Sequence, residues 1–306
     1  MTRRLRTDER GQAILVTVLF MTVLIGAVAI TVDVGAWYRE QRQAQATADA
    51  AALAGAQDLP RDPGAALTSA QSYAGQNGGG VAAADIAFTD DWQPNDTINI
   101  TARRTSPGFF SKLFSIGSVD VKASASARAE VPEQVYGAGP IVVNKLHPQL
   151  SGAGCPCFDV ETTLPLADTG APGAFGLVNL DPDVNHGTPL TDQWIRKGFD
   201  GYLGLGPYES DPGTSFNANA VRAALNARLD TELMFPVYDT LGGGGTNAEY
   251  NVIGWVAFHL DAFDLHQHGN EWTITGHFTR VIWDGLQSKT DKHLTDYGVY
   301  SVALVK

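Results

Sequence analysis

The chain has 306 residues, 44% of them hydrophobic, with 33 acidic against 21 basic side chains and a net charge of −12. That length leaves room for one or two folded domains after a membrane span. The acidic balance, with no basic stripe beyond the N-terminal residues, makes nucleic acid and anionic head groups poor partners.

Arg3, Arg4, Arg6 and Arg10 form a basic stub over residues 1–12. From Ala13 to Val32 the sequence AILVTVLFMTVLIGAVAITV carries no charge. Twenty such residues are about what a helix needs to cross a hydrocarbon core of roughly 30 Å. Basic residues before the run and Asp33 after it predict a cytoplasmic N-terminus, with everything beyond Asp33 outside the membrane. A cleaved secretory signal would have an apolar core of only about 7–15 residues and a small-x-small site soon after. Here the run passes straight into AWYREQRQAQATADAAALAGAQ, and the first proline is Pro60. The expectation is a retained anchor that continues as one helix from Ala13 to Gln57, about 67 Å long at 1.5 Å per residue. Without the stub, 17 basic and 31 acidic residues remain, a net of −14 on the external body.

Two readings of the alanine-rich half stay open. Ala44, Ala46, Ala48, Ala50 to Ala52, Ala54, Gly55 and Ala56 expose little side chain, so another helix could approach closely. The same residues would equally suit packing on the chain's own sheet. Within the span, Gly26, Ala27, Ala29 and Thr31 are also small.

The string Asp33-Val-Gly35-Ala-Trp37-Tyr38, followed by Gln45-Ala-Thr-Ala48-Asp49-Ala-Ala-Ala-Leu53-Ala-Gly55-Ala56, resembles the N-terminal signature of the TadG-like proteins of Flp-type (tight-adherence) pilus assembly. The resemblance covers about residues 9–60. It implies a TadE/TadG-like, pseudopilin-like envelope protein that packs through its N-terminal helix against other pilus-assembly proteins. The helix positions it points to are Gly26, Asp33, Gly35, Tyr38, Gln45, Ala48, Asp49, Ala52, Leu53 and Gly55. Prepilin processing usually needs Glu at the fifth position after the glycine, and after Gly11 that position is Val16. The departure favours an assembly accessory over a processed fibre subunit.

After the stalk, Ala65–Gly75 reads as a short helix, with strands at Ala84–Thr89, Thr97–Arg103 and Val119–Ala129. Between the last two, Gly108–Phe114 (GFFSKLF) reads as a short helix with its apolar face on the sheet. Residues 33–131 are therefore expected to form a stalk helix plus a small pilin-like α+β domain. Pro132–Pro140 reads as a linker. Residues 141–306 are expected to be a β-rich, mostly antiparallel external domain. Its strands are Ile141–Asn144, Phe175–Leu180, Glu232–Val237, Asn251–Leu260, Glu271–Asp284 and Tyr297–Val305, with a helix at Ala218–Leu229. The fold class is α+β.

Chemistry is sparse. Cys155 and Cys157 flank one proline in an oxidising compartment, which suggests a local disulfide, with reduced forms and metal ligation as alternatives. Asp181, Asp183, Asn185 and Asp192 are spaced like oxygen ligands of a calcium loop. The glycine, however, is one place late and the last acid is not Glu, so a solvated turn competes. His266 and His268, with His259 and His277 on flanking strands, suggest zinc less well than a solvated hairpin. There is no G-x-S-x-G, P-loop or dinucleotide fingerprint, and no small-molecule substrate is indicated. The reading is a non-enzymatic, single-pass assembly protein. The competing class is a membrane-tethered binding or hydrolytic domain with the stalk as spacer.

Overall fold

The computed structural model describes residues 10–166, 176–181, 190–211, 219–243, 248–265, 272–286 and 294–305. The chain divides into two compact units. One comprises residues 1–128 with Ala303–Lys306, the other Ala129–Val302.

The first unit is built on α1 (Arg10–Ala56), a single 47-residue helix. Nothing in it breaks a helix, and its two interior glycines each cost only about 1 kcal/mol. Its first half exposes Ile14, Leu15, Val18, Leu19, Phe20 and the apolar residues that follow. Its second half buries Ala44, Thr47, Ala48, Ala51, Ala52 and Ala54. These pack on α2 (Pro63–Gln76), which presents Ala66, Ala70 and Ala74 at helical spacing. Asp62 starts α2 by accepting from Ala65 N at 2.8 Å, with Pro63 in the first turn where its missing N–H costs nothing. The other side of α1 lies on an antiparallel meander of β1 (Ile86–Thr89), β2 (Thr97–Pro107) and β3 (Ser118–Glu130). Register sets Ile98 opposite Ala127, Ile100 opposite Ala125 and Ala102 opposite Ala123, so small side chains on β3 leave room for the isoleucines of β2. Val305 N donates to Ser126 O at 2.9 Å within this unit.

The second unit contains β4 (Gln134–Tyr136), β5 (Val143–Asn144), α3 (Pro148–Ser151), β6 (Glu161–Pro165), α4 (Thr191–Lys197), β7 (Tyr202–Leu203), β8 (Gly206–Glu209) and α5 (Asn219–Asn226). It continues with β9 (Glu232–Gly242), β10 (Glu249–Asp264), β11 (Thr273–Thr279), β12 (Val281–Ile282), β13 (Gly285–Leu286) and all but the last two residues of β14 (Val299–Leu304). The main sheet runs β5-β9-β10-β11-β6, with β8 also on β10. Phe235, Phe258 and Phe278 fill one side with Leu177, Ile195 and Leu225. Met234, Tyr250 and Trp255 fill the other with Val135 and Trp194. Both faces being covered, β9 and β10 are continuously buried through their middles, Leu233–Tyr238 and Gly254–Phe258.

The architecture is α+β, as the sequence predicts, but the pairing is mixed. β5 pairs with β9 in parallel and β12 with β14 in parallel. The stretch Pro132–Pro140 contains β4, which pairs with β7 and β13, and its Val135 and Ala138 are fully buried in the second unit. The chain divides before it, between Arg128 and Ala129.

Candidate functional site

Asp33 ends the uncharged run and is only 3% exposed. Its carboxylate faces the loop between β2 and β3. Oδ1 accepts from Phe109 N at 2.9 Å, Oδ2 accepts from Ser111 N at 2.6 Å, and Phe110 N is shared at 3.3 and 3.1 Å. Three consecutive amides thus converge on one anion at the start of a short 3₁₀ turn, Ser111–Phe114. Burial acts to raise the carboxyl pKa. The hydrogen bonds from Ser111, Phe109 and Phe110 act together more strongly in the other direction, so it is held below the usual carboxylate range.

The loop does not turn its apolar side to the sheet as the sequence pattern predicts. Phe109, Phe110, Leu113 and Ile116 are exposed, Leu113 by 89%. Two clefts separate the loop from α1. One, of about 200 Å³, is bounded by Gly26, Ala29, Ile30, Asp33, Trp37 and Phe110. The other, of about 490 Å³, is bounded by Thr22, Ile25, Gly26, Phe109, Lys112 and Leu113. An apolar cluster between two strands that need no connection of that kind was the available signal. Periodicity alone cannot say which apolar surface such a cluster meets.

Further along α1 the polar residues stitch the same unit together. Gln41 Nε2 donates to Lys122 O at 2.9 Å, and Gln45 Nε2 to Ser124 O at 3.3 Å and to Asp49 Oδ1 at 2.7 Å. Gln43 Nε2 and Thr47 Oγ1 both donate to Asn77 O, at 2.9 and 2.6 Å. Arg104 Nε donates to Glu40 Oε2 at 2.7 Å. Ala48, Ala52 and Gly55 lie in the contact with α2 and β2. A Cβ on Gly55 would sit 2.5 Å from Ile98 Cδ1 and 2.9 Å from Ala66 O. Asp49 and Leu53 are half-buried. Gly26 and Gly35 have nothing within 4 Å of an added Cβ, and Tyr38 is 63% exposed beneath Arg42, 6.0 Å from its ring. One exposed row on α1 therefore runs Gly35, Tyr38, Arg42, Ala46.

In the second unit Cys155 and Cys157 are joined, with S–S 2.00 Å and Cα atoms 4.5 Å apart. Of the calcium-like set, Asp181 follows Asn179, whose side chain accepts from its N–H at 3.1 Å, and Asp192 sits in the first turn of α4. Asp183 and Asn185 lie outside the described residues, as do His266 and His268. His259 and His277 stack with centroids 4.9 Å apart. Their Nδ1 atoms lie 3.2 Å from Glu232 and 3.4 Å from Asp261. Asp230, His259 and Asp261 offer three ligand atoms within 4.8 Å of one another, a grouping that the histidine spacing did not reveal.

Residues 11–58 match the family described as putative Flp pilus-assembly TadE/G-like. The match coincides with α1, which among the described residues is the one helix long and apolar enough to cross a membrane. Comparison with the curated proteins and with the solved structures finds no match.

Proposed function

Proceeding from this match, we propose that the chain is a membrane-anchored, pseudopilin-like accessory of Flp pilus assembly. It acts by packing against other assembly proteins outside the membrane rather than by catalysis. The observation that carries the reading is the coincidence of the family match with α1, whose apolar half is uncovered over Ile14–Val32 and demands a hydrocarbon environment. Arg3, Arg4, Arg6 and Arg10 against Asp33 support a cytoplasmic N-terminus and an external body. The partner face that fits is the exposed row Gly35, Tyr38, Arg42 and Ala46, because Ala48, Ala52 and Gly55 are already occupied within the unit.

A photo-crosslinking residue at Tyr38, in cells assembling pili, tests this. Adducts with other pilus-assembly proteins are expected from Tyr38 and not from exposed Ser72 on α2. Equal labelling from both positions, or pili unchanged when the gene is deleted, would sink the assembly role.

A further inference from the structure

We propose that the loop Gly108–Gly117 is a second membrane contact, inserted among lipid acyl chains beside the span in the leaflet on the Asp33 side. The proposal rests on reading α1 as a membrane span. Given that, the depth of the loop is fixed by its hydrogen bonds to Asp33 on α1. Phe109, Phe110 and Leu113 border the same cleft as Thr22, Ile25, Gly26 and Ala29. Thr22 lies eleven residues before Asp33 and Ala29 four, which is about 16 and 6 Å along a helix rising 1.5 Å per residue. Half of a hydrocarbon core is about 15 Å. Any tilt of α1 that keeps Ala13–Val32 in lipid carries the loop with it.

The loop is made for such a place. Phe109, Phe110, Leu113 and Ile116 are uncovered within the unit, as are the apolar side chains of the span. Trp37 and Tyr38, one turn beyond Asp33, are the aromatic types that settle at the interface. Exposed Lys112 has a stem long enough to carry its charge back toward water.

Backbone accounting is the independent argument. Irregular backbone leaves water only if its polar groups find partners in the protein. From Gly108 to Ile116, at least seven of nine N–H groups have them. Phe109, Phe110 and Ser111 donate to Asp33, Gly108 to Gly117 O, Leu113 to Phe110 O, Ser115 to Lys112 O and Ile116 to Ser111 O. Ser111 Oγ also donates to Ile116 O at 3.1 Å. The loop's N–H groups therefore need few waters, which a place among acyl chains requires. Asp33 then supplies, at the edge of the lipid, the acceptors that three amides lose on leaving water.

The test is fluorescence of an environment-sensitive thiol probe on single-cysteine variants of the full chain in phosphatidylcholine vesicles. Cys155 and Cys157 are bonded to each other and leave no free thiol to compete. Probes go at Leu113→Cys and Ile116→Cys in the loop, Val23→Cys in the span and Ser72→Cys on α2. The expected result is emission from 113, 116 and 23 that shifts to the blue, is quenched by acyl-chain spin labels and resists iodide. Position 72 should show the reverse. If 23 is not quenched by lipid, the span reading fails and the proposal falls with it. If 23 is quenched while 113 and 116 stay open to iodide, the span stands and the proposal is overturned. Protection of 113 and 116 that appears only in native envelope membranes overturns it too, and points to a protein partner for the loop.

Discussion

Gly55→Val measures how tightly α1 is seated. A Cβ at this position would lie 2.5 Å from Ile98 Cδ1, 2.9 Å from Ala66 O and 3.2 Å from Ala70 Cβ. The isoleucine tip can rotate away. The carbonyl of Ala66 is backbone and moves only if α2 shifts. Overpacking of this kind costs about 1–3 kcal/mol, and the two further methyls of valine put it in the upper part of that range. Against it stands a gain of only a few tenths of a kcal/mol, since valine is a somewhat better helix former than glycine. The net loss is about 2–3 kcal/mol. For a unit of about 130 residues that lowers the melting temperature by roughly 6–15 °C. The control is Gly35→Val on the same helix, where nothing lies within 4 Å and the change should stay within about 0.5 kcal/mol. Thermal melting of the detergent-solubilised full chain, followed by helical ellipticity, compares the two. Equal melting of Gly55→Val and the parent would refute the close approach of α1, α2 and β2.

Asp33→Ala removes every acceptor for Phe109, Phe110 and Ser111 N–H, so the first unit of the detergent-solubilised full chain should melt several degrees below the parent. An unchanged melting temperature would mean the carboxylate does not hold the loop. His147 packs edge-on to Phe278 and accepts from Gln149 N at 3.3 Å, and burial lowers its pKa from the ordinary 6.5. The folded chain therefore binds this proton less readily than the unfolded one. The stabilising contribution is complete above pH 6.5 and is lost as pH falls through the lowered folded value. His147→Asn, which keeps a helix-capping acceptor, should flatten the melting temperature of the second unit between pH 7.5 and 5; an unchanged slope assigns the effect to other groups. Reduction of Cys155–Cys157 opens a loop of only three residues, worth about 1.6 kcal/mol by chain entropy. Dithiothreitol should thus lower the second unit's melting temperature by roughly 3–6 °C, and outright unfolding would contradict that small value.

What the sequence discloses and what it hides follow the range of the forces involved. The span, the unbroken helix and the strands β2 and β3 are written in local patterns: an uncharged run, the absence of proline before Pro60, and apolar residues at alternate positions such as Ile98, Ile100 and Ala102. The Pro/Gly stretch around β4 looks like a linker because turn residues dominate it. Its order comes from Leu203 and Leu286, about 70 and 150 residues away, which no local pattern reports. The parallel pairings of β5 with β9 and β12 with β14 are hidden for the same reason. The loop at Gly108 is hidden differently. Its apolar residues were plain, but nothing in one sequence tells a side chain meant for a sheet from one meant for lipid.

The residues that carry the family resemblance can be sorted by what they touch. Asp33 bonds the amides of Phe109–Ser111, Gln41 and Gln45 reach carbonyls on β3, and Gln43 and Thr47 reach Asn77 O at the end of α2. Ala44, Ala48, Ala51 and Ala52 close the contact with α2 and β2. Each of these partners lies outside residues 11–58, the segment the family match covers. The matched helix therefore does not by itself bond the Asp33 carboxylate or bury its own alanines; the following seventy residues do both. It follows that substitutions at Ala48 or Ala52 act on the folding of the first unit before they act on any partner. The partner face proposed above therefore falls on the row Gly35, Tyr38, Arg42 and Ala46, which the first unit leaves exposed.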